Sequence, residues 1–160
     1  MNRVQEFLDQ SRRVLDGDPW YGAAIMEVLE GLTHEQAAAR PIPNAHSIWE
    51  LVLHMTGWVR EVTRRLLQGD WREPEEGDWP AAPDPTAANW RTTLARLEEA
   101  HRGLSAALEK FPTGRLDEQL GRERSQSMGT GQTYAQMLHG ILQHDAYHLG
   151  QIGILKKGLM

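Results

Sequence analysis

Thr133-Tyr-Ala-Gln-Met-Leu-His-Gly-Ile-Leu-Gln-His-Asp-Ala-Tyr-His-Leu-Gly-Gln-Ile-Gly-Ile-Leu155 is the stretch whose reading decides the fold. Thr133 followed three residues later by Gln136 is a capping box, the reciprocal side chain–backbone pairing that starts a helix. Tyr134, Met137, Leu138, Ile141, His148, Ile152 and Leu155 then recur at helical spacing, with no proline to break the run. Two histidines interrupt this stripe. His144 and His148 are four residues apart, so their imidazoles share a helix face and can reach one metal ion. His148 falls near the centre of the apolar stripe and His144 at its flank. Imidazoles turned toward a core are costly unless they find hydrogen-bond partners or a metal. The spacing alone is a weak signal in a chain with seven histidines; the position of the pair on the stripe strengthens it.

Outward from this helix the pattern stays helical. Ser47-Ile-Trp-Glu50 is a second capping box, followed by Ile48, Leu51, Val52, Met55, Trp58, Val59, Val62 and Leu66 at helical spacing up to Gly69. Residues 2–15 carry a partly apolar face. Gly17-Asp18-Pro19 breaks that run, with Asp18 as the expected N-cap of a further segment through Ile25, Met26, Val28 and Leu29 to Gly31. Thr33-His-Glu-Gln36 resembles a capping box for a short helix. The connection 70–83 is too rich in breakers for regular structure, and Asp84-Pro85 is expected to open a helix carrying Trp90, Leu94, Leu97, Leu104, Leu108 and Phe111. The polar segment 114–131 reads as a mobile loop. No strand-like alternation and no internal repeat is evident. Four substantial helical regions predict an all-α fold, a four-helix bundle with long connections and a broken first helical region. Residues 1–160 are expected to form one domain.

Composition narrows the chemistry. Hydrophobic residues make up 40% of the chain and charged ones 24%, ordinary for a globular protein. A net charge of −5 disfavours nucleic acid as partner, because counterion displacement from phosphates needs a basic surface. The chain has no cysteine, which excludes disulfides, zinc–thiolate sites and a cysteine nucleophile, so any metal must be held by His, Asp, Glu or water. The sequence Met1-Asn-Arg-Val-Gln-Glu-Phe7 lacks the apolar core of a signal peptide, and no run approaches membrane-spanning length. The expectation is a cytoplasmic protein with no membrane partner. Six tryptophans against two phenylalanines suit helix–helix contacts and cavity walls.

The remaining histidines sort by position. His54 sits at the edge of the 47–69 stripe beside Leu51 and Trp58. If that helix packs beside the last, His54 completes a three-histidine face with positions open for water or substrate. The alternative is that His148 is a satisfied core histidine and the others are partly exposed. His101 lies on an apolar stripe as a packed core histidine, a partner behind the ligands or a fourth ligand. His34, His46 and His139 read as surface residues. Asp145 can orient an imidazole or pair with a basic residue on a neighbouring helix, and Gln151 can hold a ligand or a bound water.

Ser47-Ile-Trp-Glu-Leu-Val-Leu-His54 together with His144-Asp-Ala-Tyr-His148-Leu-Gly-Gln-Ile152 resembles the DinB-like (DNA-damage-inducible B) superfamily, and the likeness in layout spans nearly the whole chain. The resemblance implies a four-helix bundle with three metal-ligating histidines, which carry over to His54, His144 and His148. It implies a divalent ion, zinc, nickel, manganese or iron, and a homodimer. It also implies a small-molecule substrate. The expected activity is a metal-dependent S-transferase using a low-molecular-weight thiol. A metal-dependent hydrolase and a non-catalytic metal- or ligand-binding stress-response protein are the alternatives. Trp20 and the 121–131 loop are the expected pocket rim.

Overall fold

The computed structural model describes residues 2–121 and 131–159. Four long helices account for most of it: α1 (Arg3–Asp16), α4 (Ile48–Gln68), α5 (Ala87–Lys110) and α6 (Tyr134–Gly158). Two one-turn helices, α2 (Ile25–Leu29) and α3 (His34–Ala38), lie between α1 and α4. A 3₁₀ turn (Thr113–Arg115) follows α5, and β1 (Gln119–Leu120) pairs antiparallel with β2 (Gln132–Thr133) just before α6. The helices pack mainly as α4 on α5, α1 on α5 and α4 on α6. This is the expected all-α bundle with a broken first region. No helix among the described residues is long and apolar enough to cross a membrane.

The capping boxes at Ser47 and Thr133 form as read. The Ser47 side chain accepts from the Glu50 N–H while the Glu50 carboxylate accepts from the Ser47 N–H, and Thr133 and Gln136 repeat the exchange. Gly69 ends α4 in the left-handed region at φ 74°, which an L side chain would strain. Two starts differ from expectation. Asp18-Pro19 caps no helix; residues 18–24 form turns, and α2 begins at Ile25 after Ala24. Likewise α5 opens at Ala87, capped by the Thr86 hydroxyl on the Asn89 N–H, while the Asp84 carbonyl accepts from the Asn89 side chain. In the second case a hydroxyl two residues downstream supplies the cap, and Asp-Pro only steers the chain toward it. The polar segment after α5 contains the β1–β2 bridge, and residues 122–130 lie outside the described residues.

The core divides into two apolar clusters. One gathers Val4, Phe7, Val59, Val62, Leu104, Leu108, Tyr134, Leu138 and Ile141. The other gathers Val14, Ile25, Ile48, Trp49, Val52, Met55, Trp90, Leu97, Leu149 and Ile152. In the second, Trp49 and Trp90 pack with ring centroids 5.0 Å apart, and each buried indole N–H is satisfied, by Thr93 Oγ1 at 3.0 Å and by the Leu32 carbonyl at 3.1 Å. Between the clusters each long helix places buried polar side chains: Ser11 on α1, His54 and Thr56 on α4, His101 on α5, and Asp145 and His148 on α6.

A buried ion pair anchors the start of the long connection after α4. Glu61 accepts from Arg65 Nε at 2.8 Å, from Arg64 Nε at 2.8 Å and from the Arg72 backbone N–H at 3.1 Å. Burial alone would raise the Glu61 pKa, but these donors outweigh it and hold the carboxyl below its usual range. A depressed folded-state pKa stabilises the fold above the unfolded carboxylate value and is lost as pH falls through the folded one. Denaturant titrations should therefore show stability dropping below about pH 4, with a shallower drop in Glu61→Gln. Glu61→Ala, which removes the carboxylate bonded to the buried Arg65 guanidinium, should cost about 3–5 kcal/mol at neutral pH.

Candidate metal centre

His54 lies a third of the way along α4, and His144 and His148 lie one turn apart on α6, where the two helices pack. Their Nε2 atoms converge: His54 to His144 is 2.9 Å, and His148 to His144 is 3.2 Å. His54 and His148 are buried, and the His144 side chain is 26% exposed. The three-histidine face expected from the sequence therefore exists as a cluster whose donor atoms can meet one ion.

The outer ring nitrogens decide the protonation states. His54 Nδ1 lies 2.6 Å from the backbone carbonyl of Asp78, which can only accept, so Nδ1 carries the proton and Nε2 presents a lone pair. His148 Nδ1 donates to Gln151 Oε1 at 2.7 Å, which leaves its Nε2 as a lone pair too. Between them sits His144 Nε2. A single N–H there serves one neighbour and leaves the lone pair of the other without a donor. Hydrogen bonding among the three rings therefore cannot satisfy them all, and unsatisfied buried groups are expensive. A cation that accepts three lone pairs removes the conflict. Imidazole nitrogens sharing an ion at about 2.0–2.1 Å stand roughly 3 Å apart, in line with the observed spacing. Burial pushes all three pKa values down, that of His148 to about 4, which keeps the rings neutral as ligation requires.

Behind the cluster lies a second polar pair. Asp145, wholly buried, has Oδ2 3.8 Å from His101 Nε2 and Oδ1 3.9 Å from His144 Nδ1. Both gaps exceed hydrogen-bond length, and His144 Nδ1, Asp145 Oδ1 and both His101 nitrogens lack partners among the described residues. Burial raises the Asp145 carboxyl to about 6 against the opposing pull of His101. His101 thus packs behind the cluster, and it is absent from the set of converging donors. Gln151 takes the ring-holding part open to it in the sequence.

The sequence reading missed Asp78 and Trp79. Gly77, at φ 83°, closes a turn onto the Pro74 carbonyl and delivers Asp78 to α4. Its carboxylate accepts from Trp58 Nε1 at 2.7 Å while its carbonyl holds His54. The Trp79 indole is sandwiched between His46 at 3.6 Å and His54 at 3.9 Å, both nearly parallel to it. His46, though largely exposed, is therefore part of the site's wall. A tryptophan amid prolines and acids was the available signal, since a loop indole must find apolar surface somewhere. Trp20 does not play the expected part: it is 99% exposed and does not line the pocket beside His148. The other expected rim segment falls largely outside the described residues. His34 is half-buried beside the Glu35 carboxylate, and His139 is exposed against Phe7.

Neither the curated proteins nor the solved structures yielded a match to this chain. A family model does match, over residues 22–152, and its span takes in both histidine-bearing helices. With the bundle and the converging imidazoles it agrees with the motifs around His54 and His144–His148: the chain belongs to the DinB superfamily.

Proposed function

We propose that His54, His144 and His148 hold one divalent metal ion through Nε2, and that the protein is a metal-dependent enzyme transferring a low-molecular-weight thiol to a small organic substrate. The observation that carries the metal reading is the arrangement of the outer nitrogens. Two rings have Nδ1 committed to acceptors, so three Nε2 atoms converge without enough protons to bond one another. No further His, Cys, Asp or Glu joins the cluster among the described residues. Three protein ligands suit a reactive centre, whereas structural zinc sites are closed by four.

A divalent ion held there supplies Lewis acidity, lowering the pKa of a thiol or water beside it. The residues around it favour the thiol. His148 forms part of the wall of a cavity of about 410 Å³, and no Asp or Glu lines that cavity among the described residues. Two carboxyl groups stand near the centre among the described residues, and neither is on that lining: Asp145 sits behind His144, and Asp78, 3.3 Å from His54 Nδ1, accepts from Trp58 Nε1. A nucleophile without a carboxylate base must ionise readily, and a thiol near 8.5 does so far more easily than water at 15.7. The chain contains no cysteine, so the sulfur comes from a co-substrate. Gln151 and the Asp78 carbonyl keep two rings oriented.

Metal analysis of protein purified without a metal-affinity tag should find about one equivalent of a divalent ion per chain. His148→Ala should lose most of it. Near-zero metal in the wild type that chelation and reloading cannot restore would overturn the metal reading. Glutathione, bacillithiol and mycothiol, each with an electrophile, then test the transfer; metal without thiol consumption would sink the transferase. Gln151→Leu, which removes the partner of His148 Nδ1, should weaken metal affinity about 10–100-fold while leaving the thermal midpoint close to wild type. Competition with a chromogenic chelator measures this, and unchanged affinity would show that Gln151 does not hold the ring.

A further inference from the structure

We propose that Asp145 and His101 are the positioning residues of His144. The Asp145 carboxylate accepts from His144 Nδ1 on one oxygen and from His101 Nε2 on the other, so α5, which supplies no ligand, helps to hold the third imidazole of the cluster. This inference rests on the reading of His54, His144 and His148 as ligands, and deepens it by naming what orients the ring that the α4–α5 connection and Gln151 leave unheld.

The three rings are held unequally. His54 Nδ1 donates to the Asp78 carbonyl at 2.6 Å and His148 Nδ1 to Gln151 Oε1 at 2.7 Å, whereas His144 Nδ1 is buried without a partner among the described residues. Metal-bound imidazoles nearly always donate their outer N–H to a carboxylate, a carbonyl or water. The acceptor facing His144 Nδ1 is Asp145 Oδ1, 3.9 Å away and itself unpartnered. The other carboxylate oxygen faces His101 Nε2 at 3.8 Å, and both nitrogens of that ring are unpartnered too. One wholly buried carboxylate thus stands between imidazoles from two helices, His144 on α6 and His101 on α5. Each gap is about 1 Å longer than an N–H···O bond, a distance that small side-chain rotations close.

The placement of protons favours the same pairing. A neutral imidazole carries one N–H. If His144 turns the Nε2 lone pair to an ion, its proton sits on Nδ1 and faces Oδ1. With the proton on Nε2 instead, Nδ1 would set a lone pair against the carboxylate. Asp145 therefore selects the tautomer that can ligate. Burial pushes the His101 pKa down, so that ring is neutral as well and has one N–H to give the second oxygen. Leaving these buried groups unpaired is costly, and the one carboxylate answers both rings.

Zinc affinity, measured by chelator competition on the whole chain, tests the assignment. Asp145→Leu should weaken zinc about 10–100-fold, and Asp145→Asn, whose amide oxygen still accepts from His144, should recover part of the loss. His101→Phe keeps a ring but removes the donor, and should weaken zinc about 3–10-fold; His101→Gln, which keeps an N–H, should restore it. Because His101 acts through the carboxylate, His101→Phe should cost nothing further in the Asp145→Leu background. Histidine-selective ¹⁵N spectra of the zinc-loaded wild type should show the His144 Nδ1 proton shifted downfield by its hydrogen bond, and Asp145→Leu should reverse that shift. Zinc affinity that neither Asp145→Leu nor His101→Phe changes overturns the proposal. So do losses that simply add in the double variant, the mark of two independent packing defects. An unshifted His144 Nδ1 proton in the wild type also overturns it, and that readout stands even where a variant does not fold. The two readings fail separately: a wild type that takes up no zinc after chelation and reloading removes the metal centre and this inference together, whereas zinc bound normally by every variant removes this inference alone.

Discussion

A layer of polar side chains lies between the two apolar clusters of the bundle, and the rest of the structure is arranged around keeping it solvent-poor. Each long helix contributes: Ser11, His54 with Thr56, His101, and Asp145 with His148. Above and below lie separate apolar clusters, so the layer replaces what would otherwise be one continuous core. A bundle gains nothing in stability from buried imidazoles; apolar side chains of similar volume would pack there without desolvation cost. Their presence at the level where α4 meets α6 is therefore the strongest structural pointer to function. The proposed ion resolves the conflict among the three Nε2 atoms, while Ser11 Oγ, His144 Nδ1, Asp145 Oδ1 and both His101 nitrogens keep no hydrogen-bond partner among the described residues.

Helices alone do not complete the site. They fix where the imidazoles stand, but the orientation of His54 comes from the connection between α4 and α5, through the Asp78 carbonyl and the Trp79 ring. That segment has no regular structure, yet it is tied at several points. Glu61 grips the Arg72 N–H near its start, Gly77 turns it back toward α4, and the Asp78 carboxylate is held by Trp58. Near its end Thr86 caps α5. Several anchors along the eighteen irregular residues 69–86 restrict the conformations the loop would otherwise explore, which is how a loop can hold a ring as firmly as a helix does.

What was legible in the sequence was whatever depends on residues three or four apart. The Ser47 and Thr133 caps, the apolar stripes of α4 and α6 and the shared face of His144 and His148 are set by local geometry, and all appear in the structure. The placement of His54 against them needed one assumption, that α4 packs beside α6. Asp18-Pro19 and Asp84-Pro85 were misread because an Asp-Pro pair signals both a helix start and a turn; at α5 the later hydroxyl of Thr86 supplies the cap. Asp78 was not legible at all. It acts on His54 through its backbone carbonyl, which every residue carries, and its position depends on how a long connection folds back. Trp20 illustrates the converse error: a large aromatic side chain near a break suggests a cavity wall, but nothing local says which tryptophan the fold will use.

Trp79 and His148 join the centre to the cavity, and this shared wall constrains how the protein can vary. Trp79 is at once a cavity residue and the ring that covers His54, while His148 lines the cavity and belongs to the converging cluster. Substitutions at either position therefore alter both the cluster and the cavity wall. Ile42 and Ile154 carry no such double duty, since neither belongs to the cluster and both are exposed, whereas Tyr147 also stands edge-on to His148. The cavity wall can change at Ile42 and Ile154 with the imidazoles and their Nδ1 partners left in place. A scaffold built this way keeps the converging imidazoles on two helices and one anchored loop, and leaves exposed side chains of the cavity wall that can be exchanged without disturbing them.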